Sequence, residues 1–207
     1  MRFYKVSSII HRYFHRYTWR LNPKEKSIYL TFDDGPNDLA TTEVLDILKQ
    51  FNIKATFFCV GENVLKYPTV MERIVSEGHT IGNHTHNHLK GWTCPSKTYI
   101  ENFEKAAEGL SVYTNARLFR PPYGRIRKEQ ASQIIQRGYK IIMWDILSYD
   151  YDKTLNIRQC IQAISNKTRN GSIVVFHDSL KSRNQTNQIL PEYIQNMINK
   201  GFHFKRL

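Results

Sequence analysis

Two kinds of hydrophobic pattern alternate along the chain. Short runs of apolar, β-branched and aromatic residues read as strands buried in a sheet. Between them lie longer stretches whose apolar residues return every three or four positions, as on one face of a helix. The first run, Ile28-Tyr29-Leu30-Thr31-Phe32, spaces Ile28, Leu30 and Phe32 by two and ends in Asp33-Asp34-Gly35-Pro36. A helical face over 41–51 follows, then a strand over 55–60 closed by Gly61, a helix over 68–77 stopped by Gly78 and a short strand over 80–83. Helices over 96–113, 128–137, 155–167 and 190–200 then alternate with strands over 118–120, 140–144, 172–176 and 202–204. This alternation predicts an α/β fold, with parallel strands inside and helices outside. The number of units suits a barrel-like (β/α) arrangement better than a small open sheet, with the active site at the C-terminal ends of the strands.

Composition narrows this picture in three ways. A chain of 207 residues, 41% hydrophobic, suits one domain with a substantial core, here residues 27–207. The three cysteines, Cys59, Cys94 and Cys160, show no paired spacing, which argues against a disulfide framework and a thiolate zinc finger. The net charge of +12 raises nucleic acid, anionic membrane and acidic glycan as partners. No nucleic-acid motif accompanies it, so nucleic acid ranks last. Residues 1–26 mix Arg2, Lys5, Arg12, Arg16 and Arg20 with Phe3, Ile9, Ile10, Tyr13, Phe14 and Trp19. This basic segment is expected to pack on its own domain, with a membrane surface as the alternative. No stretch is apolar enough to span a membrane, and no export signal is visible, so a cytoplasmic or peripherally membrane-associated monomer is expected.

Chemically capable residues gather at one end of the strands. Asp33 and Asp34 close the first strand, and two adjacent carboxylates at the tip of a buried run need a cation, a strong donor or a task. His84-Thr85-His86-Asn87-His88 follows the third strand. Histidines four apart on one helical turn face the same way, and with Asp34 they make two imidazoles and a carboxylate, a catalytic metal set with an open position. Asp33 is then left as a base beside the metal, with Arg120 as its charge partner. His177, at the end of an otherwise apolar strand, is the candidate general acid. Asp150 or Asp145 is available to fix its tautomer.

Assembled, these residues resemble the polysaccharide deacetylases of the NodB-homology type, carbohydrate esterase family four. Thr31-Phe32-Asp33-Asp34-Gly35-Pro36 matches the first motif of that family and His84-Thr85-His86-Asn87-His88 the second. Arg120-Pro121-Pro122-Tyr123-Gly124 matches the third, and Ile173-Val174-Val175-Phe176-His177-Asp178 the fifth. The fourth departs: Trp144 and Asp150 align, but Leu147 stands where Asp is common and Tyr151 where Trp is common. The resemblance implies a distorted (β/α) barrel with fewer than eight units, parallel strands inside and helices outside. It implies Asp33 as base, Asp34, His84 and His88 as ligands of one divalent ion, and His177 as acid. It implies that Arg120 positions the base, that Tyr123 offers a backbone N–H to the oxyanion and that Trp144 walls the sugar pocket. The expected ion is Zn2+, with Co2+, Ni2+ or Mn2+ as alternatives. The expected activity is removal of acetyl groups, N-linked or O-linked, from peptidoglycan, chitooligosaccharide or a similar glycan. The alternative is a glycan-binding relative with the same barrel and little turnover.

Overall fold

Every residue of β1 (Ser27–Asp33) is buried, and the sheet is built outward from it. The computed structural model describes residues 2–22 and 24–207; Met1 and Pro23, which fall in the predicted N-terminal segment, lie outside the described residues. β1 pairs in parallel with β2 (Thr56–Cys59) along its second half and with β8 (His203–Lys205) along its first. On its other side runs β7 (Ile173–His177), with Asp33 directly opposite His177. Beyond β2 come β3 (Thr80–Asn83), β4 (Leu118–Phe119) and β5 (Lys140–Ile141), and beyond β7 comes β6 (Ile146–Leu147). All these pairings are parallel.

β5 and β6 are therefore the two edges of the sheet, yet only residues 142–145 separate them. Five residue steps reach at most about 18 Å, so the sheet must curl until its edges nearly meet. This is the barrel that the alternation predicts, in the distorted form that the resemblance implies. The pattern over 140–144 predicts a single strand; instead, only Lys140–Ile141 pairs as β5, and the rest of the run crosses the seam towards β6. The N-terminal segment lies along that seam. The Thr18 N–H donates to the Ile141 carbonyl at 2.8 Å and the Met143 N–H to the Thr18 carbonyl at 2.7 Å. The Val6 N–H donates to Asp145 and the Leu147 N–H to Tyr4, both at 3.0 Å. Backbone groups left open on both edges are thus used within the chain.

Alternation along β1 assigns its two faces. Ile28, Leu30 and Phe32 point outward into the main core, with Val44, Leu45 and Leu48 of α2 (Ala40–Gln50) and Ile189 and Leu190 of α8 (Arg183–Asn199). Tyr29, Thr31 and Asp33 point the other way, into the barrel. Two helices differ from the sequence expectation. Gly61 starts α3 (Gly61–Lys66) instead of merely closing a strand. The last helix begins at Arg183, seven residues before the predicted start, and carries Pro191 in its interior. Its first turns are polar in sequence, but Thr186, Ile189 and Leu190 are buried, and packing on the barrel overrides the weak helical signal.

Candidate active site

Five loops at the C-terminal ends of the strands enclose a cleft of about 610 Å³. Asp33, Asp34, His84, His88 and His177 line it. Asp33 leaves β1 pointing inward, where Arg120 meets it. One guanidinium nitrogen of Arg120 donates to Asp33 Oδ1 at 2.6 Å and to Thr31 Oγ1 at 2.7 Å. The others donate to the carbonyls of Ile142 and Met143, both at 3.1 Å. Arg120 is fully buried over the ring of Phe58, 4.2 Å from its centroid. Burial lowers its pKa from the ordinary arginine value, and the Asp33 charge opposes that fall.

Asp34 turns the opposite way because its backbone is left-handed, with φ 83°. Six non-glycine residues among those described have positive φ, and Asp34, Thr85, His88 and Tyr123 are four of them. Such strain persists where the surroundings enforce it, and it clusters at working sites. Here the Asn63 side chain of α3 donates to the Asp34 carbonyl at 2.8 Å. Next to it, the Gly35 N–H donates to Asp178 Oδ1 at 3.1 Å, and Thr41 Oγ1 to Asp178 Oδ2 at 2.6 Å. Burial pushes the Asp178 carboxyl up to about 7, against those two bonds.

The histidine stretch is not a helical turn, as its spacing predicts, but a loop with Thr85 at φ 65° and His88 at φ 57°. Those two residues bring the rings of His84 and His88 to 5.1 Å between centroids. The first N–H groups of α3 hold the loop: Gly61 donates to the Thr85 carbonyl at 3.0 Å and Glu62 to the His86 carbonyl at 2.8 Å. A Cβ on Gly61 would lie 2.6 Å from His86 Nδ1 and 3.1 Å from its Cα, so only glycine allows this approach. His86 itself is buried against α3, away from the cleft.

Asp34, His84 and His88 offer ligand atoms within 4.8 Å of one another. His88 Nε2 lies 3.1 Å and His84 Nε2 3.6 Å from Asp34 Oδ1. His84 Nδ1 sits 2.7 Å from the Arg120 carbonyl, which can only accept, so Nδ1 carries the proton and the Nε2 lone pair faces the cleft. Burial would raise the Asp34 carboxyl, but the neighbouring imidazoles of His84 and His88 and the charge of His177 hold it well below the usual carboxylate range. A carboxylate kept ionised beside an imidazole lone pair fits a divalent cation of the borderline class, zinc among them.

Across the cleft, His177 Nδ1 and Asp150 Oδ1 are 2.7 Å apart, and Asp150 Oδ2 accepts from the His177 N–H and from Thr186 Oγ1, both at 2.7 Å. Burial alone would lower the His177 pKa; Asp150, with Asp34 and Asp33 behind it, pushes it up to about 9. Asp145 is elsewhere, bound to Arg169 and Ser172. Trp144 lines the cleft, and Tyr123 is exposed at its mouth with φ 59°. Gly124 has φ +63°, and a Cβ there would lie 2.6 Å from the Trp144 ring.

Sequence reasoning did not single out Lys90, Arg125 and Lys181, which also line the cleft. Their only signal is position: each follows one of the sequence motifs by a few residues. It also passed over Asp178 as a support for the Asp33-Asp34 turn.

The family model for polysaccharide deacetylases matches residues 20–142. A peptidoglycan-N-acetylglucosamine deacetylase of Bacillus cereus is 33% identical over 197 residues, covering 90% of this chain and 89% of the relative. The crystal structure of the Bc1960 peptidoglycan N-acetylglucosamine deacetylase superposes with a TM-score of 0.88 at 30% identity, covering 93% of this chain and 91% of that one. A Bacillus anthracis protein named a pseudoenzyme of carbohydrate esterase family four superposes at 0.81 with 26% identity, over 91% of this chain and 66% of that one. Identity over nearly the full length, together with the barrel and its cleft, settles the kinship: the chain belongs to the polysaccharide deacetylase family.

Proposed function

We propose that the protein hydrolyses acetamido groups of a cell-wall glycan, peptidoglycan or chitooligosaccharide, releasing acetate with the help of one bound zinc ion. The observation that carries this reading is the convergence of three ligand atoms within 4.8 Å between two preset acid–base groups, Asp33–Arg120 and His177–Asp150.

Asp34, His84 and His88 would hold the ion. When bound, it supplies Lewis acidity that polarises the acetyl carbonyl and acidifies a water, whose pKa can fall from ~15.7 to about 7. Asp33 takes a proton from the attacking water on its free oxygen, while Arg120 holds the other oxygen and keeps the group aimed. His177 delivers a proton from Nε2 to the departing nitrogen. Asp150 fixes the Nδ1 tautomer for that transfer. An amine cannot leave well without this proton, whereas an alkoxide can, so His177 fits amide cleavage better than ester cleavage. The Tyr123 backbone N–H serves the oxyanion, and Trp144 walls the acetyl and sugar pocket.

A binding-only reading draws on the likeness to the Bacillus anthracis pseudoenzyme. Acetate release separates the two. Metal-reconstituted protein should release acetate from N-acetylglucosamine oligomers or peptidoglycan, lose that activity on chelation and regain it with Zn2+. No acetate from either substrate, with zinc verified in the protein, would overturn the proposal.

A further inference from the structure

The mouth of the cleft carries three cationic side chains from three separate loops. Lys90 follows the histidine loop, Arg125 follows β4 and Lys181 follows β7. None has a carboxylate partner among the described residues, although twelve other basic groups on the chain take part in ion pairs with acids. Each head rests instead on an aromatic face. Arg125 lies 4.3 Å over Trp92, Lys181 5.4 Å over Tyr151 and Lys90 6.0 Å over Tyr123. The platforms are themselves fixed. Trp92 Nε1 donates to the Ile126 carbonyl at 3.1 Å. Tyr123 stands edge-on to His88 at 4.6 Å, and Tyr151 edge-on to His177 at 5.0 Å. A cation, a tyrosine and a site histidine are thus stacked on each side of the cleft.

Cations spread over one surface by chance would be solvated and largely without consequence. Cations held on aromatic platforms lose less freedom when they bind, and they keep an apolar flank for a sugar ring. The acids that line the same cleft, Asp33 and Asp34, lie at its floor and are engaged by Arg120 and by the histidines. The rim therefore presents unneutralised positive charge to whatever lies on either side of the acetylated sugar.

We infer that Lys90, Arg125 and Lys181 select glycans in which the sugars flanking the acetylated residue carry carboxylates. This inference rests on the deacetylase reading and adds the substrate class. It also gives the rim a second effect: deacetylation leaves an ammonium on the sugar, which the same cations repel, so product leaves and a stretch already deacetylated is a poor substrate.

The test compares two oligosaccharides of equal length: an N-acetylglucosamine oligomer, and one that alternates N-acetylglucosamine with a carboxylate-bearing sugar. A third substrate masks the sugar carboxylate as an amide, and a fourth places the carboxylate at the end of a peptide joined through that amide. Metal-loaded wild type should favour the sugar-carboxylate substrate about tenfold in kcat/KM at low salt, since three exposed ion contacts multiply to that order. The preference should shrink with added salt and with masking, and should fall to near unity in Lys90→Gln/Arg125→Gln/Lys181→Gln. Recovery of the preference by the fourth substrate would reassign the rim to peptide carboxylates and overturn the inference. So would the same anionic-to-neutral ratio in the triple variant as in wild type. If no substrate yields acetate, binding decides: carboxylate-dependent affinity, read from Trp92 and Trp144 fluorescence, sustains the rim inference while the deacetylase reading falls, and its absence overturns both.

Discussion

Arg120 and Asp33 meet at 2.6 Å inside the barrel with side chains 0% and 5% exposed, so each supplies the opposite charge that compensates the other for leaving water. Breaking such a pair by removing one partner costs about 3–5 kcal/mol, because a buried charge is left alone. Arg120→Met should therefore destabilise the protein by that order. It should also abolish activity, since Asp33 loses the guanidinium that holds and aims it. Asp33→Asn/Arg120→Met should be more stable than Arg120→Met, with both inactive. Denaturant unfolding of the two single variants and the double closes the cycle. A double variant no more stable than Arg120→Met would show that the Ile142 and Met143 carbonyls, not Asp33, are what Arg120 serves.

His177 gives a pH signature. Its folded pKa of about 9 exceeds the ordinary 6.5, so the folded state binds the proton more tightly than the unfolded chain. The stability this contributes is fully present below pH 6.5 and is lost as the pH rises through about 9; its full size is about 3 kcal/mol at 1.36 kcal/mol per unit. Imidazole NMR of the metal-free protein should give a midpoint near 9. In Asp150→Asn burial is opposed only by the more distant acids, and the midpoint should fall by more than one unit. A metal cation beside Asp34 opposes the His177 charge, so the alkaline limb of kcat should lie below 9 in the loaded enzyme and move further acidward in Asp150→Asn. A limb that does not move in that variant would remove Asp150 from the role assigned to it.

The parts of this site legible in the sequence are those whose signal is local. Asp33 and Asp34 stand out because a period-two apolar run cannot hide two carboxylates, and His84 and His88 because histidines are rare. The parts that escaped depend on tertiary context. The spacing of His84 and His88 suggests a helical turn; left-handed residues at Thr85 and His88 achieve the same convergence in a loop. The sequence leaves both Asp145 and Asp150 open as the partner of His177; the ion pair of Asp145 with Arg169 and the 2.7 Å contact of Asp150 with His177 separate them. Lys90, Arg125 and Lys181 are ordinary surface residues until the loops bring them to one rim. In the fold, the apolar run over 140–144 carries no mark of the seam that divides it, and the polar opening of α8 conceals an inward face.

The three residues proposed to hold zinc should differ in what their loss does to the fold. His84 is 2% exposed and its Nδ1 satisfies the Arg120 carbonyl, whereas His88 is 28% exposed by side chain. All three alanine variants should lose zinc and turnover. His84→Ala should cost in addition about 1–3 kcal/mol, because it strands a buried acceptor, while His88→Ala should stay near wild-type stability without metal. Thermal unfolding with and without Zn2+ reads both effects: zinc at 100 times its Kd should stabilise wild type by about 2.7 kcal/mol and the variants by none. Zinc-dependent stabilisation that persists in Asp34→Ala would place the ion elsewhere.

The N-terminal segment should be integral to the barrel. Tyr4, Val6 and Thr18 supply backbone bonds to both sheet edges, and Trp19, 8% exposed, packs with Phe119, Ile141 and Met143. The Met143 carbonyl in turn holds Arg120, so the seam and the Asp33–Arg120 pair share one stretch of backbone. Trp19→Ala should cost about 3 kcal/mol as a large-to-small core change, which in a chain of this size lowers Tm by about 6–12 °C. Removing residues 1–22 should do more, because it opens the edges at β5 and β6 to pairing between molecules, visible as concentration-dependent aggregation. It should also lower kcat by loosening Arg120 around Asp33. A truncated protein that keeps its Tm and remains monomeric by light scattering would show that the curled sheet closes without this segment.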